Sequence, residues 1–358
     1  MSAFRKFILC LSVIILIGSC RGGDGEENPL PDKGNRMLGL HITQAEGGTF
    51  DDAFSLALDA GMDCCPQTFF WNMLEDQSGY DPHSYLELIN HYYPARNTAV
   101  SLCITPIETI YRGVPADLME VPFGSPQMIN RFKQLLDTIH AATPDLDLRF
   151  LIIGNEVDLY FDAHPGEWED YITFIAAVVP HAKALWGEQV MAGAESTLMG
   201  ALGTHQEKVK RMNEHTDMVC FSYYPLDPGF VMKPVDQVEE VIDRMMQAYP
   251  DRKMFLEECG YAGSETCNSS DAEQSDFIGT MFRIWDKYRD RLLFMGFLWL
   301  HDLSPAQAQL FAVQYGISGQ QGEEAFTEYV RSCGLRQFNG AAKPAFLRLK
   351  TEAGDRGW

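Results

Sequence analysis

Short apolar runs alternate with amphipathic stretches from residue 37 onward, and this alternation limits the possible folds most strongly. Most runs are dense in Val, Ile, Leu, Phe and Met, which is typical of parallel strands covered on both faces rather than on one. Eight runs are candidate strands. They are 37–42, 62–70, 99–105, 148–155, 189–195, 218–223, 253–258 and 294–301.

The stretches between these runs have the periodicity of helices, most clearly in five places. These are 49–59, 125–140, 168–186, 235–248 and 275–291. Eight strands alternating with helices predict an α/β fold, a single (β/α)8 TIM barrel over 37–358. A doubly wound open sheet is the alternative, but no Gly-rich dinucleotide-binding turn follows the first strand.

Composition supports a large core and excludes several functions. The 358 residues are 46% hydrophobic, and 28 basic against 50 acidic side chains give a formal charge of −22. Such a charge repels nucleic acid. The nine Cys contain no CxxC pair, and Walker, HExxH and G-x-S-x-G motifs are absent, so we expect neither a metal nor a cofactor. Cys259 and Cys267 are close enough in sequence to form a disulfide, but the sequence does not determine whether they do.

The N-terminal residues predict an export signal. Two basic residues precede an apolar run over 7–17, which is too short to span a bilayer and suits a signal peptide. The run ends in Leu-Ile-Gly-Ser-Cys at 16–20, which resembles the lipobox of bacterial lipoproteins. This resemblance implies a signal peptide over 1–19 and a lipidated Cys20. An ordinary signal peptide with a chance Cys is the alternative.

Residues 20–36 are rich in Gly and polar side chains, which predicts a flexible tether after the lipid. We therefore expect an extracytoplasmic chain, anchored to the bacterial outer membrane through the lipid alone. Asp24, Glu26 and Glu27 resemble the acidic export signal of surface-displayed lipoproteins. Exposure on the cell surface is one outcome that this resemblance implies.

Two of the predicted strands end in carboxylates, where a barrel places its active site. Strand 4 runs into Asn155-Glu156 and strand 7 into Glu257-Glu258. Burying a charge at the end of an apolar run is costly, so these residues need a reason to be there. Retaining glycoside hydrolysis needs two facing carboxylates about 5 Å apart, one as acid and base and one as nucleophile.

Asn-Glu after strand 4 and Glu-Cys-Gly-Tyr at 258–261 resemble the signature of clan A glycoside hydrolases, which are retaining (β/α)8 enzymes. The resemblance implies that Glu156 is the acid/base, that Asn155 holds the sugar 2-hydroxyl and that Glu258 is the nucleophile. Glu257 competes for the last role, but it lies one residue early. Neighbouring residues point to opposite sides of a strand, so we expect only one of the two to face the mouth.

Two further strand ends agree with this clan. Strand 6 ends in Phe-Ser-Tyr-Tyr-Pro at 221–225, which resembles a phrase of family 53 endo-β-1,4-galactanases. That resemblance implies that Tyr223 or Tyr224 contacts the nucleophile. Trp299, on strand 8, matches the Trp that commonly floors the −1 sugar site in the clan. The Cys at position 259, where many relatives carry Thr, departs from the pattern.

Five other residues are candidates with a structural alternative. Trp71, at the end of strand 2, is a candidate sugar-stacking platform, unless it belongs to the core. His41 and His301 end strands 1 and 8, where each either lines the −1 site or is a structural hydrogen-bonded side chain. Glu195 ends strand 5 and either binds substrate or supports a neighbour. Glu108, after strand 3, is interpreted as a loop charge.

Together these residues predict a retaining glycoside hydrolase that acts on a β-linked poly- or oligosaccharide by double displacement. The second carboxylate should raise the pKa of Glu156. The alternative function is a surface glycan-binding lipoprotein that has lost turnover. The sequence does not determine the sugar, the linkage, whether cleavage is endo or exo, or the oligomeric state.

Overall fold

The computed structural model describes residues 30–76, 79–80 and 85–358, and the signal peptide 1–19 and Cys20 lie outside these residues. The strands of the barrel are named β1 to β8 in chain order, and β5 has two short halves. They are Met37–Leu40, Cys64–Phe70, Ala99–Glu108, Leu148–Asn155, Met191–Gly193 with Glu195–Thr197, Met218–Tyr223, Lys253–Cys259 and Leu292–Phe297.

The barrel strands form two parallel halves that meet along two seams. One half has the order β1, β8, β7, β6 and the second half of β5, and the other has β2, β3, β4 and the first half of β5. At one seam the Asp63 N–H donates to the Leu38 carbonyl, at 3.1 Å. At the other the Asp217 N–H donates to the Ala192 carbonyl, at 2.8 Å. The fold is the α/β (β/α)8 barrel that the sequence predicts.

Aromatic rings fill the barrel interior below its carboxyl-terminal end. The ring centroids of Phe255 and Phe294 are 4.3 Å apart, and those of Phe150 and Phe255 are 4.4 Å apart. This buried cluster also contains three cysteines, Cys64, Cys103 and Cys220. The seven cysteines of the described residues are all buried and free, so Cys259 and Cys267 form no disulfide here.

Helices named α1 to α12 lie among the described residues, outside the strands. They are Phe50–Asp59, Leu86–Tyr92, Pro126–Ala142, Val157–Ala163, Trp168–Trp186, Leu198–Leu202, Gln206–Asn213, Val238–Ala248, Asp271–Lys287, Pro305–Gln314, Glu323–Ser332 and Pro344–Gly354. Side-chain caps fix where several begin. Thr49 forms a capping box with Asp52 before α1, and Ser125 accepts from the Met128 N–H before α3.

The predicted tether extends too far toward the barrel. Lys33 donates to Asp63 at 2.8 Å, and Arg36, which is 1% exposed, donates to Asp286 at 2.8 Å. The Arg36 guanidinium also lies over the Trp285 ring. Burying the Arg36 charge without partners would be costly, and these contacts supply the partners. Residues 31–36 belong to the same compact unit as the barrel.

Candidate active site

A cavity of about 580 Å³ lies at the carboxyl-terminal end of the barrel strands. Residues at the ends of β3, β4 and β7 line it, together with residues that follow β6 and β8. Barrels of this kind place their active sites at this end. The cavity is therefore the candidate active site.

The junction between β4 and α4 turns two polar side chains into the cavity. Gly154 has φ of +87°, and a Cβ atom there would collide with Val157 and Tyr171, so the position requires glycine. Glu156 follows with φ of +42° and ψ of +44°, in the left-handed region that non-Gly residues rarely adopt. This backbone brings Asn155 and Glu156 to the cavity lining.

Glu156 has an unusually basic carboxyl group. Its Oε1 accepts a hydrogen bond from the Ser222 hydroxyl at 2.5 Å. Burial raises the pKa of Glu156 to about 8, and the nearby Glu258 carboxylate adds to the rise, while the Ser222 hydrogen bond opposes it. At neutral pH this side chain holds a proton that it can donate.

Glu258 lines the same cavity from β7. The Tyr224 hydroxyl donates a hydrogen bond to its Oε2 at 2.8 Å. A donated hydrogen bond stabilises a charged carboxylate and fixes its direction. The carboxyl groups of Glu156 and Glu258 thus have different partners, because Ser222 donates to Glu156 and Tyr224 donates to Glu258.

A β-bulge in β7 decides between Glu257 and Glu258. The paired residues of β6 and β7 advance together until Ser222 pairs with Glu258, and this step skips Glu257. Glu257 is 2% exposed, does not line the cavity, and accepts a hydrogen bond from Ser101 of β3 at 3.2 Å. The bulge interrupts strict alternation in β7, yet only one of the two side chains lines the cavity, as expected. Glu258 is the member of the pair that reaches the cavity.

Glu108 is part of the site and not a loop charge. It lies on β3, lines the cavity and is 8% exposed. Its Oε1 accepts from the Asn155 side-chain amide at 2.9 Å, whereas its Oε2 has no partner among the described residues. Burial raises the pKa of Glu108 to about 7. This carboxyl orients Asn155, which precedes Glu156.

His41 and Trp299 also line the cavity. His41 Nε2 donates to the Glu257 carbonyl oxygen at 3.1 Å, and burial lowers the pKa of His41, so the ring is neutral. Trp299 is half-buried, with its ring 5.6 Å from that of Phe311. Both side chains therefore share the cavity with Glu258 and its partner Tyr224.

Two aromatic candidates lie elsewhere. Trp71 is fully buried, donates from Nε1 to Glu75 at 2.6 Å and packs edge-on against Phe132, so it is a core residue and not a sugar platform. Tyr223 is 3% exposed and does not line the cavity. Of the two adjacent tyrosines, Tyr224 is the one that contacts Glu258.

His301 and Glu195 do not line the cavity either. His301 is 1% exposed, and its Nδ1 donates to the Thr43 carbonyl at 2.7 Å while its Nε2 accepts from Arg336 at 3.2 Å. His301 is therefore a structural, hydrogen-bonded side chain, which is the second of the two roles that the sequence allows. Glu195 is fully buried with no hydrogen-bond partner for either oxygen among the described residues, and burial raises its pKa well above the usual range.

Two contributors escaped the sequence analysis. Ser222 belongs to the Phe-Ser-Tyr-Tyr-Pro motif at 221–225, but a lone Ser carries no signal in the sequence, and only the fold brings it to Glu156. Aromatic residues of α10 and α11 that line the cavity gave no signal, because their helices come after the last strand. In the described residues no group of three or more His, Cys, Asp or Glu could hold a metal ion.

Comparison with known proteins shows the fold. No protein-family model matches the chain, and no curated protein does. A GH5_18 structure from Bifidobacterium longum subsp. longum, in complex with Manβ1-4GlcNAc, is 15% identical, with a TM-score of 0.66 over 89% of this chain and 78% of that one. A GH53 catalytic domain from Ignisphaera aggregans is 15% identical, with a TM-score of 0.65 over 91% and 98%.

An exo-β-1,4-mannosidase from Opitutaceae bacterium strain TAV5 is 14% identical, with a TM-score of 0.64 over 89% of this chain and 59% of that one. These similar structures are clan A glycoside hydrolases, so the resemblance seen in the sequence is confirmed at the level of the fold. None of the described helices has the length and apolarity needed to cross a membrane.

Proposed function

We propose that the chain is a retaining glycoside hydrolase that uses Glu156 as acid and base and Glu258 as nucleophile. The observation that carries this proposal is one cavity in which the carboxyl groups of Glu156 and Glu258 lie in different environments. Glu156 is protonated at neutral pH, with its pKa raised to about 8, and Glu258 accepts a hydrogen bond from Tyr224. Pairs of carboxyl groups whose surroundings differ in this way divide the acid and nucleophile roles.

In the first step Glu156 donates its proton to the glycosidic oxygen as the bond from that oxygen to the anomeric carbon breaks. A Glu258 oxygen attacks the anomeric carbon from the opposite face and forms a glycosyl ester. Glu258 then carries no charge, so the repulsion that helps to raise the pKa of Glu156 disappears. Glu156 can then take a proton from water, whose oxygen attacks the anomeric carbon and releases Glu258.

The lining of the cavity supports a neutral sugar as substrate. Among its described residues are the carboxyl groups of Glu108, Glu156 and Glu258, but no Lys or Arg. A uronic acid or a sulfated sugar would be repelled there. The similar structures include a Manβ1-4GlcNAc complex and a β-1,4-mannosidase, which supports a β-linked substrate.

The test is hydrolysis of β-linked oligosaccharides by the residues from 31 onward, followed by NMR of the first product. We expect the anomeric configuration to be retained, and Glu258→Gln to lower kcat by several orders of magnitude. Glu257→Gln is the matched control and should remain active, because that side chain lies outside the cavity. An inverted product would contradict the mechanism, and tight glycan binding without any hydrolysis would favour the glycan-binding alternative.

We also propose that the chain is exported and held at the outer membrane by a lipid on Cys20. The support is the lipobox-like Leu-Ile-Gly-Ser-Cys at 16–20, after an apolar run of signal-peptide length. Metabolic labelling with a fatty acid tests this proposal. Label should enter the full chain and not the Cys20→Ala variant.

A further inference from the structure

One wall of the cavity consists of aromatic rings in continuous contact. The ring centroids of Trp299 and Phe311 are 5.6 Å apart, those of Phe311 and Tyr315 are 6.3 Å apart, and those of Tyr315 and Phe326 are 6.0 Å apart. All four residues line the cavity. Most of this wall comes from α10, α11 and the loop between them.

The series of ring contacts continues to the loop after β6 and returns to the catalytic pair. Phe326 contacts Phe230 at 5.0 Å, Phe230 stacks on Tyr329 at 5.8 Å, and Tyr329 meets Tyr224 edge-on at 6.0 Å. Tyr224 is the residue that donates to Glu258. We name six of these rings the aromatic arc. They are Trp299, Phe311, Tyr315, Phe326, Phe230 and Tyr329.

Aliphatic side chains complete this wall. Leu226, Ile317 and Val330 line the cavity together with the aromatic arc. A sugar ring presents hydroxyl groups around its edge, and burying a hydroxyl without a hydrogen-bond partner is costly. Leu, Ile and Val offer no such partner, nor does Phe. Trp299, Tyr315 and Tyr329 are the members of this wall that carry a polar hydrogen, and the Tyr315 hydroxyl already lies 3.5 Å from that of Thr109. Most of this wall is therefore suited to an apolar group.

Another part of the cavity is polar. Glu108, Asn155 and Glu156 lie together at the ends of β3 and β4, with Glu258 on β7. These groups can accept hydrogen bonds from several sugar hydroxyls or donate hydrogen bonds to them. The cavity thus offers a polar region for one sugar beside an apolar region, in a volume of about 580 Å³ that suits a ligand of ordinary drug-like size.

We propose that the aromatic arc binds an apolar aryl or alkyl group attached to the sugar, so that the chain cleaves neutral β-glycosides with an apolar aglycone. The inference rests on the proposed function, since it places the scissile bond between the polar region and the arc. The products are the free sugar and the alcohol or phenol, whose oxygen receives the proton of Glu156.

An alkyl series tests the proposal without changing the reactivity of the leaving group. Methyl, butyl and hexyl β-glycosides of glucose, galactose and mannose are compared, below any micelle concentration. We expect kcat/KM to rise with chain length for the accepted sugar, by up to about fourfold for each methylene that becomes buried. Oligosaccharides of the same sugar should be poorer substrates than the hexyl glycoside.

Variants test whether the dependence of kcat/KM on alkyl chain length comes from the apolar wall. Phe230→Ala should flatten the rise, and Ile317→Thr provides a smaller change in case the first variant does not fold. Leu310→Ala is the matched control, because Leu310 is on α10 but is 68% exposed and does not line the cavity. That control should keep the full dependence on chain length.

The outcomes separate this inference from the proposed function. If methyl glycosides or oligosaccharides are hydrolysed with no gain from longer alkyl chains, the apolar-aglycone proposal is wrong and the hydrolase proposal stands. If no glycoside is hydrolysed, calorimetric binding of the hexyl and methyl glycosides decides the inference alone. Tighter hexyl binding that Phe230→Ala abolishes would support the apolar site, and equal binding would overturn it.

Discussion

Glu156 and Glu258 have the same side chain, but different hydrogen-bond donors prepare the two for different proposed roles. Ser222 donates to the first and Tyr224 to the second, and both donors come from the end of β6 or just beyond it. Neither hydroxyl reacts with substrate in the proposed mechanism. Each acts by setting the charge distribution and direction of a carboxyl group, and this makes each contribution separately measurable.

Tyr224→Phe should lower kcat/KM by roughly 10- to 100-fold, because a hydrogen bond to a charged group contributes about 1.5–3 kcal/mol. Steady-state kinetics on a β-linked substrate measures the loss. Tyr223→Phe is the control, since the neighbouring tyrosine lies outside the cavity and should change kcat/KM less than about threefold. Equal losses in both variants would contradict the assignment of Tyr224.

Ser222→Ala should shift the alkaline limb of the pH–activity profile upward. We expect kcat/KM of the wild type to fall as pH rises through about 8, because Glu156 must hold its proton to act as the acid in the proposed mechanism. The Ser222 hydroxyl stabilises the charged form, so its removal raises the pKa of Glu156 further and keeps the acid protonated to higher pH. The profile of kcat/KM against pH measures this shift. Ser196→Ala, which removes a buried hydroxyl that bonds to none of the described residues, should leave the limb in place.

At the scale of elements, prediction succeeded where local pattern determines structure. β4 and β6 match their predicted bounds of 148–155 and 218–223, since each is an apolar run between polar residues. The bulge in β7 was not predictable, because it exists only in how β7 pairs with its neighbours β6 and β8. The left-handed conformation of Glu156 likewise depends on how α4 packs after β4, which no local pattern in the sequence encodes.

Gly154→Ala should damage both stability and activity through the β4–α4 junction. A left-handed φ costs a residue with a Cβ atom about 1–2 kcal/mol, and contact with Tyr171 and Val157 adds to this cost. Denaturant unfolding and kcat/KM measure the two effects. Gly166→Ala is the matched control, because a Cβ atom there meets nothing within 4 Å. A Gly154→Ala protein as stable and active as this control would refute the role of the junction.

At the scale of the whole molecule, the barrel buries more acidic side chains than the proposed reaction requires. Besides the two carboxyl groups proposed as catalytic, the buried Glu108, Glu195 and Glu257 all have raised pKa values, chiefly through burial. Burial thus favours the protonated, uncharged form of each group. The sequence located Glu195 and Glu257 at strand ends, but their burial follows from barrel closure and could not be read from the strands alone.

The free energy of unfolding should fall as pH rises from about 5 to 8. In this window the unfolded chain has released protons that buried acids such as Glu257, with a pKa near 8, still hold in the folded state. Each such group contributes up to about 1.4 kcal/mol per pH unit. Denaturant unfolding at several pH values measures the slope, which Glu195→Gln should reduce and exposed Glu207→Gln should not. A flat profile would contradict protonation of the buried acids.

The position at which the chain enters the barrel has a consequence for access to substrate. Lys33 and Arg36 fasten the incoming segment beside the starts of β2 and β8, whereas the cavity lies where the strands end. Residues 31–36 are therefore held at the end of the barrel opposite the cavity. None of these six residues lines the cavity, so this segment leaves the mouth open to substrate.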